Sequence, residues 1–202
     1  MRPEPRLPAL HPEQCDPETR RLLEGLRATA SLANAEASNE DPAPGENLFA
    51  VLAHNPDLLR RWTSFGAQLL LGSSLSPRLR EIAILRTGWL CGSEYEFGQH
   101  TLIGRAAGLQ PEEIARLASR EVGSWAPDEE VVIRATDELV ELRDMTEGTW
   151  NELAARFEPR QILDLIFTVG QYVLVSTALR ALRIPRESGV PGWPSDAGPS
   201  HG

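Results

Sequence analysis

Apolar positions recur at helical spacing from residue 17 to residue 182, and no stretch alternates with the period of a strand. Pro17 to Leu32 (PETRRLLEGLRATASL) predicts a first amphipathic helix, with Asp16 placed to cap it. Asn47 to His54 predicts a short helix ended by Asn55-Pro56. Asp57 to Leu71 predicts another, with Leu58, Leu59, Trp62, Phe65, Leu69 and Leu70 along its apolar side. Ser76-Pro77 has N-cap and N1 character, and Pro77 to Leu90 is apolar on nearly every face, the pattern of a helix deep in a core. Cys91-Gly92 interrupts it. Ser93 with Glu96 three positions later has capping-box spacing for a helix that reaches Ala107 and stops at Gly108. Gln110-Pro111-Glu112-Glu113 opens a short helix, Asp128 to Met145 is strongly amphipathic, Thr149 to Phe157 is short, and Pro159 to Leu182 is long and mostly apolar.

These segments define one all-α domain over residues 17–183, between a flexible Pro-rich N-terminal arm (1–16) and a flexible Pro/Gly-rich C-terminal tail (184–202) expected to be disordered or to drape over a neighbour. Residues 34–46 are acidic, small and Pro-containing, a mobile loop able to act as a lid. The apolar faces of the helices at 77–90, 93–107 and 159–182 exceed what one domain of this size needs, which points to a homo-oligomer.

Composition narrows the function. The net charge is -9 with scattered basic residues, so there is no footprint for a nucleic acid backbone. All 20 basic residues are arginine, which removes Schiff-base chemistry and any lysine base. The two cysteines, Cys15 and Cys91, make a disulfide framework improbable and a reducing, cytoplasmic address the default. No apolar run approaches the ~18 residues that cross a bilayer, so no membrane association is expected. One well-placed histidine with carboxylates is weak support for a metal, so neither metal nor cofactor is expected.

The stretch Arg80 to His100 (REIAILRTGWLCGSEYEFGQH) concentrates the chemistry, setting Glu81, Tyr95, Glu96 and His100 into apolar helical sequence. Glu96 and His100 lie one turn apart on one face, either as an acid/base pair or as a structural pair. Glu81 and Arg86 read equally as a base with a carboxylate clamp or as a buried ion pair. The Tyr95 hydroxyl reads as a donor to substrate or as the tip of a core aromatic. Cys91 reads most simply as a small core residue, with a reactive thiol as the alternative. Trp62, Trp89 and Phe97 default to core packing and can also wall a ligand pocket.

Residues 75–117, from LSPRLREIAILRTGWL through YEFGQH to AAGLQPEEIARL, resemble the carboxymuconolactone decarboxylase family of the alkylhydroperoxidase D-like superfamily. The resemblance implies a compact helical bundle that assembles into trimers or hexamers, with a site near subunit contacts. The thiol branch of that superfamily carries C-x-x-C ending four residues before the histidine. Those positions here are Ser93 and Glu96, so both redox sulfurs are absent. The resemblance therefore favours cofactor-independent acid/base chemistry, decarboxylation or a related proton transfer, on a small cyclic or lactone-type carboxylated substrate. His100, Glu96, Glu81 and Tyr95 are the expected catalytic groups, with Arg86, Trp89, Cys91 and Trp62 as substrate contacts. A peroxidase using Cys91 and a non-catalytic small-molecule binder are the alternatives.

Overall fold

The computed structural model describes residues 4–33 and 45–194. Among them there is no strand, as the periodicity predicts. The elements are α1 (Pro17–Ala33), α2 (Glu46–Leu52), α3 (Pro56–Leu71), α4 (Pro77–Leu90), α5 (Glu94–Ala106), α6 (Pro111–Leu117), α7 (Pro127–Glu141), α8 (Glu147–Arg156) and α9 (Pro159–Leu182). The expected acidic loop at 34–46 lies almost wholly outside the described residues.

Local chemistry sets the boundaries. Asp16 caps α1 by accepting the backbone N–H groups of Glu18 and Thr19. Asn55 does more than end α2: its side chain accepts the Leu58 N–H and caps α3, with Pro56 at the first helical position. Ser76 and Pro77 do the same for α4, where Ser76 Oγ accepts the Leu79 N–H at 3.2 Å. Gly108, at φ +91, ends the chain's passage from α5 in a conformation that side chains resist. The amphipathic segment expected to reach Met145 stops at Glu141, and Arg143 takes a left-handed turn at φ 62.

α4 is the central helix. Every residue from Glu81 to Trp89 is buried, and it packs on α5, α7 and α9. Gly88 lets α5 approach closely, since a Cβ there would lie 3.3 Å from the Phe97 backbone nitrogen. The main core gathers Ile82, Leu85, Phe97, Val132, Leu165 and Val169 from α4, α5, α7 and α9. A second cluster joins Leu48 and Val51 of α2 to Tyr95, Val175 and Leu179.

The two flanks depart from the expectation of loose ends. In the N-terminal arm, the Arg6 N–H bonds the Leu182 carbonyl and the Leu10 N–H bonds the Ala50 carbonyl, while Cys15 is buried against Ala53 and Leu59. Residues 184–194 fold back across α5, with Ile184 and Glu187 buried and Trp193 packed on Phe97 at a ring separation of 5.0 Å. The polar composition of this segment concealed the apolar and hydrogen-bonding anchors, Ile184, Glu187 and Trp193, that hold it.

α9 also departs from expectation, because by length and composition it could cross a membrane. Half of its most apolar stretch is buried inside the bundle, against α4, α7, α3 and α5.

Candidate active site

His100 stands at the centre of a buried polar cluster inside an otherwise apolar core. Its ring is held from both sides. Nδ1 lies 2.6 Å from Glu81 Oε2 on α4, and Nε2 lies 3.3 Å from Glu96 Oε1 one turn back on α5. The Arg80 Nε–H donates to the other Glu81 oxygen at 3.0 Å. The imidazole and the Tyr172 ring of α9 meet in a T-shaped contact, with ring centroids 4.8 Å apart, and this packing restrains the ring plane. His100, Glu81 and Glu96 are 4%, 0% and 6% exposed.

The charges in this cluster balance. Burial by itself would depress the imidazole, but Glu81, by charge and hydrogen bond, and Glu96 outweigh it and raise the His100 pKa to about 9. The ring is then an imidazolium at neutral pH, and Arg80 and His100 together offset the two carboxylates. The Tyr172 hydroxyl is pushed well above its ordinary value, by burial first and then by Glu96 and Glu81, so it stays protonated.

Ser93 stands at the N-cap of α5, but its side chain makes no capping bond, and Ser93 Oγ is buried without a partner among the described residues. The expected capping box with Glu96 does not form, because the Glu96 carboxylate is turned toward His100 instead.

Of the residues singled out from sequence, Glu81, Glu96 and His100 converge, and Tyr95 occupies the neighbouring stripe of α5. Its hydroxyl donates to Glu187 of the C-terminal segment at 2.5 Å. Trp62 packs on the same apolar cluster as Tyr95, with its Nε1 buried and unpartnered among the described residues. Arg86 turns away from this cluster toward α7. Its guanidinium holds Asp137 at 2.5 Å, donates to the Leu117 and Ser119 carbonyls, and lies 4.7 Å over the Trp89 ring. The ion pair weighed for Arg86 therefore forms with Asp137, while Arg80 takes the place beside Glu81. Cys91 caps α4 away from Cys15, which lies in a separate cluster, and burial pushes the Cys91 thiol up, against thiolate formation. Arg80, Gln99, Tyr172 and Glu187 were not singled out from sequence. The only signals were that Arg80 adjoins Glu81 and that Gln99 lies one turn from Tyr95.

Among the described residues, surface hollows lie elsewhere. One of about 630 Å³ runs along α3 past Arg61, Phe65 and Gln68, and one of about 260 Å³ lies between Leu10, Leu23 and Phe49. Neither is lined by His100 or its carboxylates.

Residues 56–138, which span α3 to α7 and hold Glu81, Glu96 and His100, match the model of the carboxymuconolactone decarboxylase family. The match covers less than half of the chain and makes this core similar to that family. No curated protein matches the chain in sequence. The fold is shared over nearly the full length with two solved structures. One is an uncharacterized peroxidase-related protein with an alkylhydroperoxidase AhpD core from Ralstonia eutropha JMP134, 17% identical, with a TM-score of 0.77 over 93% of this chain and 95% of that one. The other is an uncharacterized peroxidase-related protein from Silicibacter sp. TM1040, 18% identical, with a TM-score of 0.75 over 94% of this chain and 96% of that one. At such identities the likeness concerns the fold. In the matched segment, the groups that hold His100 are the carboxylates of Glu81 and Glu96.

Proposed function

We propose that the chain is a cofactor-independent acid/base enzyme of the decarboxylase type, acting on a small cyclic or lactone-type carboxylated substrate. The supporting observation is the imidazole held between two buried carboxylates, tightly at Nδ1 and loosely at Nε2. Glu81 fixes the ring and keeps it protonated. The weaker Glu96 contact leaves Nε2 as the nitrogen that gives up its proton. In decarboxylation the C–C bond to the carboxylate breaks, CO2 leaves, and the electron pair remains as an enolate or carbanion. The Nε2–H proton is transferred to that carbon, and the neutral imidazole takes a new proton from solvent. The low dielectric around the cluster strengthens each of these charge interactions.

In this reading the protein works in the cytoplasm as a homo-oligomer of trimeric or hexameric size, joined through the apolar outer face of α9. Cys91 takes no part, because peroxide reduction with disulfide closure needs a second thiol nearby and Cys15 lies in another cluster.

The near-complete burial of His100, Glu81 and Glu96 favours a second reading, in which the cluster only braces α4 against α5 in a non-catalytic small-molecule binder. One variant separates the two. His100→Ala, assayed for CO2 release from carboxylated lactones, is expected to lose about 100-fold or more in turnover while keeping its helical circular dichroism. Unchanged turnover removes the catalytic reading. A large drop in melting temperature, in a protein that turns over no substrate, supports the brace.

A further inference from the structure

The charge-balanced cluster accounts for Glu81, Glu96 and His100, yet another buried carboxylate lies beside it with no cation. Glu187 is 4% exposed, and among the described residues no arginine or histidine pairs with it. An uncompensated buried carboxylate is costly unless hydrogen bonds replace its lost water. Here three neutral donors converge on it. The Tyr95 hydroxyl donates at 2.5 Å, Gln99 Nε2 at 2.6 Å and the Asn47 backbone N–H at 2.9 Å. The donors belong to α5 and the first turn of α2, whereas the acceptor comes from the irregular C-terminal segment.

Tyr95 and Gln99 are one turn apart on α5, as are Glu96 and His100. The two stripes are neighbours, rotated by about 100° around the helix axis. Glu187 also leaves this cradle incompletely used. Gln99 is 6% exposed, and while its Nε2 holds the carboxylate, its Oε1 is buried without a partner among the described residues. Trp62 Nε1, packed on the same cluster as Tyr95, is likewise unpartnered among the described residues. The Trp62 Nε1–H is a spare donor for a carboxylate carried on a different skeleton from a glutamate side chain, and Gln99 Oε1, an acceptor, suits a hydroxyl on such a ligand.

We propose that Tyr95, Gln99 and the Asn47 N–H form a carboxylate-binding subsite for the small organic acid on which His100 acts, and that Glu187 fills this subsite in the resting chain as an intramolecular substitute. That the acid is a substrate rests on the catalytic reading above; that the subsite binds a carboxylate does not. A free acid enters by exchanging one carboxylate for another on the same donors, so the hydrogen bonds lost and gained balance. What the ligand must overcome is the remaining hold of the segment: Pro191 resting on Gly98, Trp193 on Phe97, and Arg186 paired with Glu94 at 3.4 Å.

The test uses benzoate and the full chain. Glu187→Ala empties the subsite, and calorimetric titration is expected to show benzoate binding at least tenfold tighter than to the wild type. Chloride at equal ionic strength should not reproduce the effect, and adding Tyr95→Phe should reverse most of the gain. In the wild type, saturating benzoate should accelerate amide hydrogen exchange across residues 184–194. If Glu187→Ala folds and binds benzoate no tighter than wild type, the proposal is overturned. If that variant does not fold, unchanged exchange in the wild-type segment overturns it. Neither readout needs turnover, so an inactive protein that binds benzoate keeps the subsite and loses only the catalytic reading.

Discussion

His100 carries the most informative single titration in the chain. Its pKa is raised from 6.5 to about 9 in the folded state, so folding favours the protonated ring. The stability this contributes is fully present below pH 6.5 and is lost as pH rises through about 9. At 1.36 kcal/mol per pH unit the loss is on the order of 3 kcal/mol. Urea unfolding followed between pH 6 and pH 10 should show this decline in the wild type and a flatter profile in His100→Gln. The residues of this cluster were legible in the sequence because ionisable groups in apolar helical segments are rare, and Glu81, Glu96 and His100 stood out on that ground alone. Glu187 was not. It lies among prolines, glycines and serines, and only the fold brings it to donors on the distant helices α5 and α2. The partner of Arg86 was equally hidden, since Asp137 lies on α7 and helical periodicity says nothing about which helices meet.

At the scale of elements, the helix starts were the most legible features, because Asp16, Ser76 and Pro77 act on their own neighbours. Ser93 shows the limit of that reasoning, as His100, one turn on in the same helix, draws the Glu96 carboxylate away from the cap. The C-terminal segment shows it again: local composition predicts a loose tail, whereas packing on α5 is decided by a glycine elsewhere. A Cβ at Gly98 would collide with the Pro191 carbonyl oxygen and with Val190. Gly98→Ala therefore sets two effects against each other. The helix gains about 1 kcal/mol in propensity, and the segment loses its seat. The expected outcome is a bundle that keeps its helical signal while hydrogen exchange at residues 184–194 rises severalfold. Protection unchanged from wild type would show that the segment does not depend on this seat.

The whole molecule presents an apolar outer face. Leu163, Phe167 and Leu174 of α9 are each more than half exposed, and Phe65 of α3 meets Phe167 edge-on at 6.4 Å. With the proposed assembly seated here, light scattering after size-exclusion chromatography should give a mass several times that of one chain. Phe167→Glu should weaken association by two orders of magnitude or more, in keeping with the loss of about 3 kcal/mol at a central aromatic anchor. A wild-type protein that elutes as a monomer at all concentrations would remove this face as the contact. In the proposed assembly α9 has obligations on both of its sides, steadying the imidazole through Tyr172 within and offering Phe167 without. Such a helix has little freedom to drift: a change tolerated by one side is still judged by the other, and descendants of this chain should vary least along it.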